Sequence, residues 1–296
     1  SFSYPLSSDS NSVITIDSTQ EFSGFSSSTL IKPGEEFVLK FTPSTHTFSK
    51  ITKEISEPFC EIVKKAIVKS PDWLEDSLIL QFKEIQNPLP YAYLILNASK
   101  QHTDEIAFCI SHSPLGSPPE PLLIKKNVEQ IYIVDEFISY ADIIEVNRDS
   151  AEYYSTIRYN VFQDNQTISR ILPKDIYYWY IVHPQILSET PSFIYEYFWR
   201  DYVFYHNDRG YPLLLEKIDN ISFLWDEQSY HQPANREWKE SIMRHPTGIE
   251  AVSYWVGKTV PFQAIGDRPG QPNLIAHQHN GWCGELQRIA VAGLRS

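Results

Sequence analysis

The spacing of apolar positions changes character along this chain. Up to about residue 50, short β-prone runs at residues 13–16 (VITI) and 36–41 (EFVLKF) alternate with Ser- and Thr-rich stretches, and Pro33-Gly34 sets a turn before the second run. A small sheet or an arm is expected there. From Ile62 the period lengthens: Ile62, Val63, Ala66 and Ile67, then Leu74, Leu78, Phe82 and Ile85, each fall on one helical face. Ser70-Pro71-Asp72 predicts the start of the second helix, since a side-chain oxygen can take a free N–H while proline sits where no donor is needed. Thr103-Asp104-Glu105 opens another helix with Ile106, Cys109 and Ile110 on its apolar side. The four prolines of residues 113–121 (SPLGSPPEP) exclude helix interior and predict an exposed connection. Residues 131–134 fit a strand or a helix start equally.

From Tyr153 the period drops to two, with Tyr153, Ile157, Tyr159 and Val161 on one face and Thr156, Arg158 and Asn160 on the other. The Asp164-Asn165 turn then predicts a hairpin with the run at residues 167–172. Residues 176–211 are dense in rings. Ile194, Phe198, Asp201 and Tyr205 follow helical spacing there, so a buried helix is the first reading and a row of rings stacking on sugar faces the second. His183 and His206 read as structural histidines. Trp238, Ile242 and Met243 predict a helix ended by His245-Pro246, and residues 249–260 predict another. In the last stretch, Leu286, Ile289, Ala290, Gly293 and Leu294 recur every three or four residues, which puts Cys283 at the start of a terminal helix behind an Asn280-Gly281 turn. Unpaired N–H groups and the positive end of the helix dipole favour thiolate over thiol at such a position, so Cys283 is a candidate nucleophile.

Composition narrows the function classes. A formal net charge of -12 argues against phosphate backbones and anionic lipid surfaces as partners and admits a cationic or neutral substrate. Three cysteines without a C-x-x-C pair exclude a disulfide framework, and no apolar run is long enough to span a membrane. Cys109 reads as a small core residue. The Ser-rich start without methionine suggests that an export signal has been removed. Asn97, Asn165 and Asn220 fit the glycosylation acceptor pattern, which matters only in a eukaryotic secretory route.

Residues 281–287 (GWCGELQ), followed by Ala290, Ala292, Gly293, Leu294 and Arg295, resemble the nucleophile helix of the transglutaminase-like superfamily, and the preceding helix and the Pro-Gly-rich loop at residues 267–272 occur in the same order. More diffusely, segments such as WLEDSLILQF and FWRDYVFYHNDRGYPLL look like those of long bacterial secreted proteins carrying this domain. The resemblance implies that Cys283 attacks an amide carbonyl to form a thioester, resolved by water in a peptidase or amidase, or by an amine in a crosslinking transferase. It implies no cofactor, a peptide or protein substrate or a glycan, and a secreted, periplasmic or cell-surface location. In that family a histidine and an acidic residue follow on later strands. Ser296 is reached first, so the resemblance implies a catalytic domain cut short and inactive by itself. Oxyanion or local support is expected from Trp255, Trp282 and Gly284. His277, His279 and Cys283 form an alternative zinc-ligand set, and His279 an alternative base.

The expected architecture is α+β. A β-rich segment occupies residues 1–50, a mostly helical accessory region with a hairpin near 153–172 occupies 51–235, and the opening helices of a transglutaminase-like core occupy 236–296. The competing function is a non-catalytic glycan- or peptide-binding protein on a degenerate fold of that kind.

Overall fold

The computed structural model describes residues 38–42, 47–51, 55–187, 189, 193–206, 208–227, 247–260 and 265–296. The runs expected at residues 13–16 and around Trp238, Ile242 and Met243 lie outside them. The architecture is mixed helix and sheet, of class α+β. Strands β1 (Val38–Thr42) and β2 (Thr47–Ile51) pair antiparallel, which bears out the second of the β-prone runs. Helices α1 (Glu61–Lys69), α2 (Glu75–Glu84), α3 (Leu89–Asn97), α4 (Thr103–Ser111) and α5 (Pro121–Asp135) come next. Residues 131–134 are therefore helix, the last turn of α5.

Leu74, Leu78, Phe82 and Ile85 are all buried, as their spacing predicts, and pack with Val63, Ala66, Ile67, Ala92 and Ile95 in the first hydrophobic core. Each side chain of this size contributes roughly 1.5–3 kcal/mol by leaving water. Ser70 behaves differently from expectation. Its hydroxyl donates to the Ala66 carbonyl at 2.9 Å, so it closes α1 rather than capping the next helix, which begins through a 3-10 turn at Asp72–Leu74.

Strands β3 (Ala141–Val146), β4 (Tyr154–Gln163) and β5 (Gln166–Ile171) form an antiparallel sheet with β4 in the centre, and β4 and β5 are the predicted hairpin. The short β6 (Trp225–Asp226) pairs in parallel with the far end of β4. Thr156, expected on the polar face, is buried because its hydroxyl reaches the Leu172 carbonyl at 2.7 Å.

The aromatic stretch is not one helix. A turn of α-helix at Lys174–Ile176 (α6) widens into a π-helix at Tyr177–Val182, Ile194 and Tyr197 form an isolated antiparallel bridge, and Trp199–Tyr205 (α7) is the expected buried helix. Tyr177, Tyr178, Phe198, Trp199, Tyr202, Phe204 and Tyr211 are buried, whereas Trp179, Tyr180 and Tyr195 are exposed. Helices α8 (Leu214–Ile218), α9 (Gly248–Thr259), α10 (Pro272–Gln278) and α11 (Cys283–Arg295) follow among the described residues. A second core joins Tyr202, Val203, Phe204, Leu214, Val252, Trp255, Ile275 and Ile289.

The buried face of α11 is rotated from the predicted stripe. Ile289 and Gly293 are buried as expected, but so are Ala292 and Arg295, while Leu294 is 48% exposed. Gly293 turns inward because a Cβ there would stand 3.0 Å from Val252 and 3.4 Å from Trp255. Arg295 turns inward because its guanidinium donates to the His183 and Gln185 carbonyls. Its own carbonyl accepts from Arg200, a fully buried side chain that also bonds the Ile181 carbonyl and, at 2.7 Å, Asn127 Oδ1. Replacing Arg200 with methionine fills the space but leaves these acceptors unpaired. The expected cost is about 3 kcal/mol, read as a lower urea midpoint. A midpoint equal to that of the unsubstituted protein would mean that this junction carries no stability.

Candidate functional site

Cys283 is the first residue of α11 and is exposed, as expected for a reachable sulfur. The turn that delivers it is fixed from both sides. Upstream, the buried Asn280 amide accepts the Ile265 N–H at 3.0 Å and donates to the Ile265 carbonyl at 2.8 Å, so it holds the incoming loop like a rung of sheet. Downstream, Glu285 reaches back to accept the Trp282 N–H at 2.9 Å. That hydrogen bond first, and then the charge of Arg268, hold the Glu285 carboxyl below the usual carboxylate range. Arg268 lies 3.4 Å from Glu285 and Arg288 donates to the Gly270 carbonyl at 3.1 Å, so the Pro-Gly-rich loop is tied to α11 at two points.

Gly284 has open space where a Cβ would be, and Trp282 is 49% exposed beside the sulfur. Trp255 does not join them. Its ring is fully buried and its indole N–H is given to the Pro212 carbonyl at 2.7 Å, so it is not free to hold an oxyanion.

His277 and His279 lie at the end of a helix. His277 belongs to the last turn of α10, and His279 closes that helix in the left-handed region at φ 51°. His279 Nδ1 meets the Thr259 carbonyl at 2.6 Å. His277 is engaged on both ring nitrogens: Nδ1 lies 2.8 Å from the Tyr202 hydroxyl and 3.2 Å from Asp208 Oδ2, and Nε2 lies 3.1 Å from Arg209. The His277–His279–Cys283 zinc set is therefore not assembled, and among the described residues no three His, Cys, Asp or Glu side chains are grouped to hold a metal. Nor, among them, is any histidine or carboxylate hydrogen-bonded to the Cys283 sulfur.

The Tyr202–Asp208–His277–Arg209 cluster was not anticipated. Burial works against ionisation of Asp208, but hydrogen bonds from Tyr202 and His277 outweigh it and hold the carboxyl below its ordinary value. With Asp208 accepting the Nδ1 proton, Nε2 is left as an acceptor for Arg209, so the imidazole is a clip between α10 and residues 208–209 rather than a base. The Asp208-Arg209 pair beside an aromatic helix was the signal available in the sequence, but nothing in its spacing pointed to a histidine 69 residues away.

Cys109 is buried against the Val182 carbonyl, and loss of solvent pushes its thiol far up, so it is a core residue as predicted. Cys60 is an exposed free thiol just ahead of α1. His183 and His206 are packed against rings, Trp179 and Tyr197 respectively, in keeping with structural roles. Comparison with protein-family models, curated proteins and solved structures returns no match for this chain. Among the described residues no helix is long and apolar enough to cross a membrane.

Gly281 makes the turn testable. A Cβ there would lie 2.4 Å from Glu285 Cβ, closer than two carbons can stand. Gly281→Ala should push Glu285 off the Trp282 N–H, cost about 1–2 kcal/mol of stability and alter the alkylation rate of Cys283. An alanine variant with an unchanged melting temperature and unchanged alkylation would remove Glu285 from the account.

Proposed function

We propose that Cys283 is the nucleophile of a transglutaminase-like acyl transfer. Its thiolate attacks an amide carbonyl, a C–S bond forms, the C–N bond breaks, and the departing amine takes up a proton. Water or a second amine then attacks the thioester and regenerates the thiolate, giving hydrolysis or transamidation. The observation that carries this reading is an exposed sulfur on the first residue of a 13-residue helix, in a turn pinned by Asn280 and Glu285. N–H groups of the first helical turn have no intrahelical acceptor and are suited to a developing oxyanion, with Cys283 and Gly284 the donors nearest the sulfur in sequence. Trp282 offers an apolar face for the chain flanking the scissile amide.

The imidazole and carboxylate belong, on this reading, to strands that come after α11, beyond Ser296. His277 is passed over because both its ring nitrogens are engaged, with Tyr202, Asp208 and Arg209, and His279 because the resemblance places the histidine after the cysteine. The substrate class is a neutral or cationic peptide or protein amide, met outside the cytoplasm. A second reading, non-catalytic binding of a glycan or peptide, is favoured by the exposed Trp179 and Tyr180 of the π-helix.

Cys60 is an internal reference for the test, since it too is exposed and precedes a helix. Iodoacetamide at about pH 6 should label Cys283 about tenfold faster than Cys60. A chain extended through the next downstream histidine and acidic residue should incorporate an amine into a glutamine peptide, or hydrolyse it, and lose this with Cys283→Ser. Equal labelling of the two thiols, together with no Cys283-dependent turnover in the extended chain, would leave the binding reading.

A further inference from the structure

Asp104 and Glu105 open α4 side by side and are shut away from solvent, at 1% and 0% exposure. Among the described residues neither forms an ion pair with a lysine or arginine. Their hydrogen bonds come instead from neutral donors. Asp104 Oδ2 accepts from the Ser155 N–H at 2.8 Å and the Tyr178 hydroxyl at 2.5 Å. Glu105 Oε1 accepts from the hydroxyls of Tyr132 at 2.7 Å and Tyr177 at 3.0 Å. The other oxygen of each carboxyl, Asp104 Oδ1 and Glu105 Oε2, is equally buried and has no partner.

Two bare carboxylates in this position would combine mutual repulsion with two unsatisfied buried acceptors, and four neutral donors do not cancel that. One proton removes both penalties, because an O–H on one carboxyl donates to the other and reduces the charge from two to one. We propose that Asp104 and Glu105 share a single proton between Asp104 Oδ1 and Glu105 Oε2, making a pH-sensitive staple that joins α4 to α5, β4 and the π-helix.

The surroundings agree. Burial first, and then the charge and hydrogen bond of Asp104, hold the Glu105 proton well above its ordinary value of 4.5. The groups facing the pair are the hydroxyls of Tyr132, Tyr153, Tyr177 and Tyr178, all pushed upward chiefly by burial and therefore protonated. Cys109, one turn along α4, is neutral for the same reason. The cations within electrostatic reach of Asp104 are the half-buried His102, whose own proton affinity is lowered by burial, and Lys174, whose ammonium sits 3.5 Å over the Trp73 ring. Neither touches the pair.

Below about pH 4.5 the folded and unfolded chains both hold the proton, and the staple contributes in full. Above that value the unfolded chain gives the proton up while the folded one keeps it. Stability is therefore lost as pH rises toward and through the raised folded value, by up to about tenfold in the folding equilibrium constant per pH unit.

The test pairs infrared spectroscopy with urea unfolding. The wild-type minus Glu105→Gln difference spectrum at about pH 7 should contain a protonated-carboxyl C=O band, with Asp135 and Asp201, themselves raised by burial to about 6 and about 7, cancelling in the subtraction. Glu105→Gln, whose amide N–H replaces the shared proton, should flatten the loss of stability with rising pH by about one proton. If that variant does not fold, Asp104→Asn offers the same replacement from the other side, and the wild-type band can be titrated directly. Absence of the band in the wild type, a pH dependence parallel to the wild type in a folded variant, or stabilisation by added calcium that points to a cation between the two oxygens would each overturn the proposal.

Discussion

The junction between the helical first half of the described chain and its last helix is held by a pair of guanidiniums that form no ion pair with a carboxylate among the described residues. Arg200 spreads its donors over Asn127 Oδ1 and the carbonyls of Ile181 and Arg295, and Arg295 spreads its own over His183 and Gln185, with the Trp199 ring against both. Burial first, and then the neighbouring charge, lower the proton affinity of Arg200, and burial brings Arg295 down to about 10. Two like charges in the interior are costly unless their donors are matched. Here most of the match is made by main-chain oxygens, with the Asn127 side chain taking the Arg200 Nε–H and the Arg295 Nε–H left without a partner. Arg200 in particular takes a carbonyl from the C-terminal end of α11, where the helix dipole favours a cation. One contact thus fixes α5, the π-helix, the segment after it, α7 and α11 together.

The same logic runs with opposite sign at Asp104 and Glu105. There the acceptors are the charged groups, and the donors are tyrosine hydroxyls and one N–H from elements that arrive later in the chain. Each cluster joins the first helical layer to the elements later in the chain, and neither is a conventional ion pair. These two clusters keep the Asp104–Glu105 carboxyls and the Arg200 and Arg295 guanidiniums apart, and each is met by neutral partners. Hydrophobic burial supplies most of the driving force, but these clusters decide which elements meet.

Much of the fold was legible where a single face does the work. Leu74, Leu78, Phe82 and Ile85 announced α2, the Asp164-Asn165 turn announced the β4–β5 hairpin, and Cys109 announced itself as core. The misses of periodicity have a common cause. Asp104 and Glu105 read as the opening of a helix, where acidic residues usually meet solvent, and Arg295 entered only as part of a motif. Their burial depends on tyrosines and carbonyls far away in sequence, which no local pattern encodes. The rotation of α11 came from the same source, since burying Arg295 against distant carbonyls turns Leu294, placed in the apolar stripe by its spacing, toward solvent. The aromatic stretch was legible in part: Trp199–Tyr205 is the buried helix that the spacing predicts, but Ile194 lies in an isolated bridge before it, because rings recur densely enough there for helical spacing to run past the helix itself.

The position of Cys283 results from this asymmetry in how α11 is held. At the C-terminal end the helix is fixed by Arg295 and Arg200, and Gly293 brings its backbone against Val252 and Trp255. Burial decreases along the helix toward the N-terminus, where Glu285 is the last buried side chain before Cys283. Glu285 serves the turn rather than the core, by closing on Trp282 and Arg268. The helix is therefore anchored at the end where its dipole is negative and presented to solvent at the end where it is positive. If a buried contact at the first turn had been used to secure α11 instead, the sulfur would have been covered by the same side chains. Anchoring through the far end lets the first residue be both fixed in place and exposed, which are the two conditions that the proposed nucleophilic role would require of the fold.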